Sequence, residues 1–263
     1  MSNKNFLFLL GGHDLEMLEI AGMLREHGMA FIDLKLKWGA KLSAYQSFFA
    51  NDKTTVGIEL IRDIAPPQNY IDIDHHNDRS NEPASIEQVA ALLGIALTRY
   101  QQLVAANDKG YIPAMLAMGA TEEEIWSIRL KDRQAQGATE ELEKAAEIAL
   151  QQAVYAGNIL LVKAESTPFS PITDRIWQVP QKIVYTNAEL TYFGKGIDIL
   201  QTHFASLIDE RKAYSGGGGQ GFFGLANGSF HQTEIEKIIF EIVELLGNPQ
   251  CIVVNDRLQK MII

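Results

Sequence analysis

Asp74-His75-His76 places one carboxylate and two adjacent imidazoles at the end of the apolar run Tyr70-Ile71-Asp72-Ile73. Carboxylate oxygens are hard ligands and imidazole nitrogens borderline ones, so the triplet suits a divalent metal. Open α/β sheets hold their chemistry at the carboxyl ends of strands, where a strand ending in this triplet would deliver it. Three other patches carry ligands of the same kind. His13-Asp14-Leu15-Glu16 follows the apolar run Phe6–Leu10, Glu59 follows Thr54–Ile58, and Asn107-Asp108-Lys109 lies between an apolar helix and Gly110. Cysteine occurs once, at Cys251, so an oxygen and imidazole set points to manganese or magnesium rather than a sulfur-rich zinc site. Two such ions about 3.5–4 Å apart can hold a nucleophilic water and neutralise phosphate oxygens, with a histidine nearby to relieve charge on the leaving oxygen.

Each residue has a plainer reading as well. Asp14 precedes a helical run and suits an N-cap. Glu59 alone is a strand-end charge, and Asp108 alone can shape a turn before Gly110. His27 sits at a helix end, where it complements the dipole, and His203 and His231 read as structural or surface residues. An acid and two imidazoles side by side at a strand end are uncommon, and there the functional reading is favoured.

The elements that must position these groups alternate. Phe6–Leu10, closed by Gly11-Gly12, reads as a central parallel strand. Residues 15–27 have helical spacing, with Gly28 as C-cap. Strands follow at 30–36, 54–60 and 70–73, with a helical stretch near 44–49. Pro83 to Leu93 is amphipathic, with Ser85 as candidate N-cap. Thr98 to Ala106 continues helically and ends at Asn107 to Gly110. Thr121 followed by Glu124 is a capping box, and Ala138 to Ala156 reads as one long helix. This alternation predicts an α/β fold with a mostly parallel, doubly wound sheet. From Asn158 the pattern shifts to strands at 159–163 and 182–186, a helix near 196–204, a glycine loop at 216–219, a helix at 233–246 and a strand at Cys251–Val254. The expected domain boundary is near residue 157, with Gly157-Asn158 as hinge.

The chain has 263 residues and a formal net charge of −10. That charge argues against binding long duplex DNA, which needs many cations on its phosphates, but not against a small anionic substrate held by a metal or local basic pocket. Candidate anion contacts are Lys109, Arg129, Lys131, Arg133, Lys195, Arg211 and Lys212. One cysteine cannot form an internal disulfide, and Phe6–Leu10 is too short to span a bilayer. A cytoplasmic protein without a membrane partner is the expectation.

Ile73-Asp74-His75-His76-Asn77, followed by Pro83-Ala84-Ser85 and an apolar helix, resembles motif III of the DHH phosphoesterases, the superfamily of RecJ-like and nano-RNase-like proteins. Leu103 to Gly110 resembles that family's fourth motif. Ser215-Gly216-Gly217-Gly218-Gly219-Gln220 resembles the glycine motif of the accessory DHHA1 domain. These motifs occur in family order across nearly the whole chain. The resemblance implies a DHH-like metal-binding domain over residues 1–157 and a smaller C-terminal α/β DHHA1-like domain over residues 158–263, facing it across a cleft. It implies a site with two manganese ions, magnesium being the alternative. His75 and Asp108 would be metal ligands, joined by Asp14, Glu16, Glu59 and a displaced His13. Catalytic support would come from His76 on the substrate phosphate and from Asp74, which orients the imidazoles. Gly217, Gly218, Gly219 and Gln220 would bind substrate, with Phe222 and Phe223 able to stack on a base.

The sequence departs from the family pattern at four places. Leu10 stands where the first motif reads histidine, and Glu16 replaces its second aspartate. The second-motif aspartate is missing, leaving Glu59 nearest and Asp63 next. Gln220 replaces the histidine after the glycine run. Two functions therefore compete. One is a metal-dependent phosphoesterase hydrolysing a small phosphate ester, short oligonucleotide or dinucleotide. The other is a catalytically impaired nucleotide-binding or regulatory protein on the same fold. A single-metal hydrolase of another kind is a third reading, and homodimer formation is left open.

Overall fold

The computed structural model describes residues 5–217, 220–226 and 228–247, and the expected strand at Cys251–Val254 lies outside them. Contacts divide the chain into two compact units, Met1–Gly137 and Ala138–Ile263. The first contains β1 (Phe6–Leu10), α1 (Leu15–Glu26), β2 (Ala30–Asp33), β3 (Thr54–Ile58), β4 (Tyr70–Ile73), α2 (Ser85–Leu93), α3 (Arg99–Ala117) and α4 (Glu122–Ala135). Its four strands are all parallel in the order β2-β1-β3-β4. The sheet grows from β1 first toward β2 and then toward β3, so a switch point lies between β1 and β3. That is where such sheets open a crevice at their carboxyl ends.

β1 is apolar throughout because both its faces are covered. Phe8 and Leu10 pack with Val56, Ile58 and Ile73 against Met17, Ile20 and Leu24 of α1 and Ile86 and Val89 of α2. Leu7 and Leu9 point the other way, toward Ala40, Leu42, Tyr45 and Leu60. The alternation is the period-2 geometry of a strand.

Three elements differ from the sequence expectation. β2 stops at Asp33, whose carboxylate accepts the backbone N–H of Lys35 at 2.7 Å while Lys35 takes a left-handed φ of 52°. Residues Leu42–Phe48 form a 3-10 helix. The third helix does not end at Asn107. It runs through Asp108 and breaks at Gly110 and Tyr111 (φ −156° and 59°), because Pro113 has no N–H to donate to the Lys109 carbonyl and its ring disfavours helix just before it.

The second unit contains α5 (Glu140–Gln151), β5 (Val154–Ala156), β6 (Ile159–Lys163), α6 (Ser170–Arg175), β7 (Lys182–Tyr185), β8 (Leu190–Lys195), α7 (Ile197–His203), α8 (Ala205–Asp209), β9 (Ala213–Gly216), β10 (Gln220–Leu225) and α9 (Gln232–Leu246). Its six strands are ordered β5-β6-β7-β8-β10-β9, with only β6 and β7 parallel. The division between units falls after Gly137 rather than near 157. The end of the expected long helix is instead β5, which pairs antiparallel with β6, and Gly157-Asn158 is the turn between them rather than a hinge. Among the described residues, no helix is long and apolar enough to cross a membrane.

Gly11 lets the loops after β1 and β3 meet. Its N–H donates to the Ile58 carbonyl at 2.8 Å, and a Cβ there would stand 2.4 Å from the Glu59 carbonyl oxygen. Both neighbours are backbone and cannot swing aside. Gly11→Ala is therefore expected to destabilise the first unit by about 1–3 kcal/mol, the usual cost of overpacking. A lowered urea midpoint, followed by hydrogen exchange in β1 and β3, checks this. An unchanged midpoint would contradict the close approach.

Candidate metal centre

Four elements bring acidic and imidazole side chains to the carboxyl end of the first unit's sheet. Glu59 leaves β3, and His75 and His76 leave β4. Glu16 lies in the first turn of α1, and Asp108 lies just before the break in α3. Glu59, His75, His76 and Asp108 each offer a ligand atom within 4.8 Å of all the others. His75 is 5% exposed, and its Nε2 lies 2.5 Å from Asp108 Oδ2, 3.6 Å from Glu59 Oε1 and 3.8 Å from Glu16 Oε2.

Local structure fixes each group. Glu59 holds a left-handed φ of 52°, a conformation that costs a non-glycine residue about 1–3 kcal/mol unless its surroundings enforce it. The enforcement comes from both sides. The Glu59 N–H donates to the Ile73 carbonyl at 2.8 Å, and Glu59 Oε1 accepts from Ser85 Oγ at 2.8 Å. Glu16 Oε1 accepts the backbone N–H of Ile86 at 3.0 Å. The first turn of α2 thus holds two of the acids, Glu16 through the backbone N–H of Ile86 and Glu59 through the hydroxyl of Ser85, at the positive end of the helix dipole. Ser85 is not the N-cap expected of it. Ala84 takes that position, and the serine hydroxyl is given to Glu59. Asp108 is held through its neighbours. Arg129 Nη1 donates to Asn107 Oδ1 at 2.9 Å and to Asp132 Oδ2 at 2.7 Å, and its guanidinium lies 4.5 Å from the Tyr111 ring centroid.

Glu16 Oε2, His75 Nε2 and Asp108 Oδ2 are buried and have no hydrogen-bond partner among the described residues. His75 Nε2 and Asp108 Oδ2 come close without hydrogen-bonding geometry. An unpaired buried polar atom costs about 1–3 kcal/mol, and more when charged, so three converging on one region need a shared partner. A divalent cation accepts lone pairs from all three at once, and the oxygen and imidazole donors fit manganese or magnesium.

The remaining predicted residues sort by position. Asp14 caps α1, accepting the Met17 N–H at 2.9 Å, and lines a cleft of about 970 Å³ with His13, Glu59, Asp74 and His76. His13 is outside the four-residue cluster. Asp74 Oδ1 accepts from both the backbone N–H and Nδ1 of His76 at 2.9 Å, so Nε2 is the nitrogen of His76 left for other partners. Asp63 is engaged at the surface by Ser43, at 3.0 and 2.6 Å.

The glycine motif lies in the second unit. Gly217 (φ 76°) starts the turn between β9 and β10, Gly218 and Gly219 lie outside the described residues, and the backbone of Gln220 opens β10 opposite Lys195. A Cβ on Gly221 would meet the Gly216 carbonyl oxygen at 1.8 Å, so this hairpin needs its glycines to close. Phe223 is sealed in the core against Phe204 and cannot stack on a base. Of the expected anion contacts, Arg129 and Arg133 are buried, Lys109 donates to the Glu82 carbonyl at 2.6 Å, and Lys212 pairs with Glu210 at 2.7 Å. Sequence reading missed Lys35, Lys37 and Trp38 of the cleft wall, and also Asp132, which accepts the Leu15 N–H at 3.3 Å.

No protein-family model and no curated protein matches the sequence. Among solved structures, RecJ from Thermus thermophilus in complex with Mn2+ superposes with a TM-score of 0.50 at 12% identity, over 93% of this chain and 53% of that one. The fold is the DHH fold of RecJ. This chain spans about half the length of that RecJ, and at such low identity the likeness concerns fold alone. An exonuclease RecJ bound to manganese aligns over 95% of this chain and 92% of its own (TM-score 0.48, 10% identity). The DHH domain of a member of the s1p family of ribosomal proteins aligns over 93% and 87% (TM-score 0.48, 10% identity). The likeness in fold covers the four-stranded parallel sheet of the first unit.

Without a cation the site is proton-hungry. Burial, with Glu59, Asp108 and Asp132 nearby, raises Asp14 from 3.8 to about 7. Burial, followed by Asp108 and Glu59, raises Glu16 well above its ordinary 4.5. Burial lowers His75, but Asp108 and Glu59 more than offset it and raise it from 6.5 to about 9. In each case the folded chain binds protons more tightly than the unfolded one. The stability they contribute is complete at low pH and is lost as pH rises, from about 4 to about 7 for Asp14 and from 6.5 to about 9 for His75, and Glu16 acts in the same direction. A bound cation replaces those protons. The metal-free protein should therefore lose thermal stability from pH 5 to pH 9, and manganese should raise the melting temperature more at pH 8 than at pH 5.5. Scans with chelator and with manganese check both. A manganese shift independent of pH would contradict the ligand set.

Proposed function

We propose that this chain is a metal-dependent phosphoesterase hydrolysing a small phosphate ester, with a dinucleotide or short oligonucleotide as the substrate class. The observation that carries this reading is the convergence of Glu59, His75, His76 and Asp108, with His75 Nε2, Glu16 Oε2 and Asp108 Oδ2 buried and without a hydrogen-bond partner among the described residues. His75, Asp108, Glu59 and Glu16 are the holding set, with Asp14 and His13 at its cleft edge. Manganese is the proposed ion, two per chain, supported by the Mn2+ in the Thermus thermophilus RecJ structure. When bound, such a cation supplies Lewis acidity that neutralises phosphoryl oxygens and lowers the pKa of water.

The chain's own residues supply orientation and proton handling. Asp74 locks the His76 ring through Nδ1, as carboxylates do for functional histidines. From the cleft wall, His76 Nε2 contacts a phosphate oxygen and, when protonated, passes its proton to the leaving oxygen. α2 holds Glu16 and Glu59 in place, so a cation held by them would meet substrate charge without rearrangement of its ligands.

A second reading, ligand binding without turnover, rests on Leu10. Its side chain is buried in the core where the family pattern reads histidine, which favours a reduced ligand set. The full chain with manganese, tested on a 5′-phosphorylated dinucleotide, short RNA, pyrophosphate and polyphosphate, separates the two. Hydrolysis of the dinucleotide or RNA is expected. His75→Ala and Asp108→Ala should each lower it by more than the roughly 10–100-fold typical of losing an outer-sphere partner, with circular dichroism verifying that the variants are folded at the assay temperature. Metal binding with no turnover on any substrate would select the second reading, and full activity in both variants would refute the ligand assignment.

A further inference from the structure

The carboxyl end of β2 leads into Lys35-Leu36-Lys37-Trp38-Gly39, a segment that none of the metal chemistry uses. It is anchored on both sides of the tryptophan. Leu36 packs against the core beneath it, and Ala40 is buried there. The Ala40 carbonyl accepts the Ile61 N–H at 2.8 Å, and the Leu42 N–H donates to the Ile61 carbonyl at 2.9 Å. Gly39 takes a φ of 85°, which turns the chain back into the fold. Yet Trp38 is 85% exposed, the most exposed large apolar side chain among the described residues. An indole left in water by a segment fixed at both ends is not a fraying loop.

Its location gives it a use. Lys35, Lys37 and Trp38 line the same cleft of about 970 Å³ as Glu59, Asp74 and His76, a volume at the upper end of small-molecule sites. The two lysines lie within three residues of the indole, in a chain that is otherwise acidic. An exposed aromatic face beside ammonium groups binds a base by stacking and its phosphate by charge, without demanding one particular base.

We infer that Trp38 is the stacking platform for a nucleobase of the substrate, with Lys35 and Lys37 contacting its phosphate or an adjacent one. The inference rests on the phosphoesterase reading of the same site and narrows its substrate class. The ester hydrolysed carries a nucleoside, and bare pyrophosphate or polyphosphate lacks the group that Trp38 recognises. It also relocates base recognition to the first unit, away from Phe223.

The test compares AMP with ribose 5-phosphate, which keeps the phosphate and lacks the base. Both are titrated calorimetrically into the full chain with manganese present. AMP should bind about tenfold more tightly, in keeping with one base–aromatic stack. Trp38→Ala should remove that advantage while leaving ribose 5-phosphate unchanged, and Trp38→Phe should restore most of it. Lys35→Ala with Lys37→Ala should weaken both ligands alike. The position is exposed, so loss of fold does not confuse the readout, and circular dichroism verifies this. Equal binding of the two ligands by the unmodified protein, or an AMP preference that survives Trp38→Ala, overturns the inference. Turnover of a dinucleotide with an unchanged KM in Trp38→Ala also overturns it while leaving the phosphoesterase reading standing. A Trp38-dependent AMP preference without any hydrolysis does the reverse.

Discussion

Repulsion among Glu16, Glu59 and Asp108 around the buried His75 is the interaction on which the first unit's architecture turns. Two carboxylates about 4 Å apart repel by roughly 4 kcal/mol at an effective dielectric of 20, and here three approach one imidazole. The fold resists their separation from several directions. The N-terminus of α2 holds Glu16 and Glu59 through Ile86 and Ser85. The break in α3 places Asp108 where Arg129, through Asn107 and Tyr111, steadies the backbone on either side of it. Gly11 keeps the loops after β1 and β3 within touching distance. Such a concentration of enforced negative charge destabilises a protein that does nothing with it and suits one that binds a cation.

Much of this was legible in the sequence because it lies in short, periodic segments. The run Phe6–Leu10 had to be a two-faced strand, and Thr121 with Glu124 formed the capping box expected of them. Asp74-His75-His76 fell at a strand end, and Glu59 and Asp108 joined it. The interactions that hold these groups were not legible, because they link residues remote in the chain. Glu16 meets Ile86 seventy positions on, and Leu15 meets Asp132 117 positions on. No local pattern announces such a pairing. The serine before an apolar helix looked like a cap, and only the tertiary fold shows that its hydroxyl has a better acceptor in Glu59.

The glycine run is ambiguous in the sequence for a different physical reason. Glycines that approach an anion and glycines that close a tight hairpin satisfy the same steric condition, the absence of a Cβ. Alternation along β10 then sends Phe223 into the core, whereas Trp38 carries no periodic signal and is identified only by its exposure beside the cluster. A net charge of −10 likewise concealed a local pair of lysines in the cleft wall.

The most direct measurement is anomalous diffraction at the manganese edge from crystals grown with manganese. The convergence of unpaired ligand atoms predicts an anomalous peak within coordinating distance of His75 Nε2 and Asp108 Oδ2, with Glu59 or Glu16 completing the set. Well-diffracting crystals with no anomalous density there, or with manganese bound only elsewhere, would contradict the metal centre.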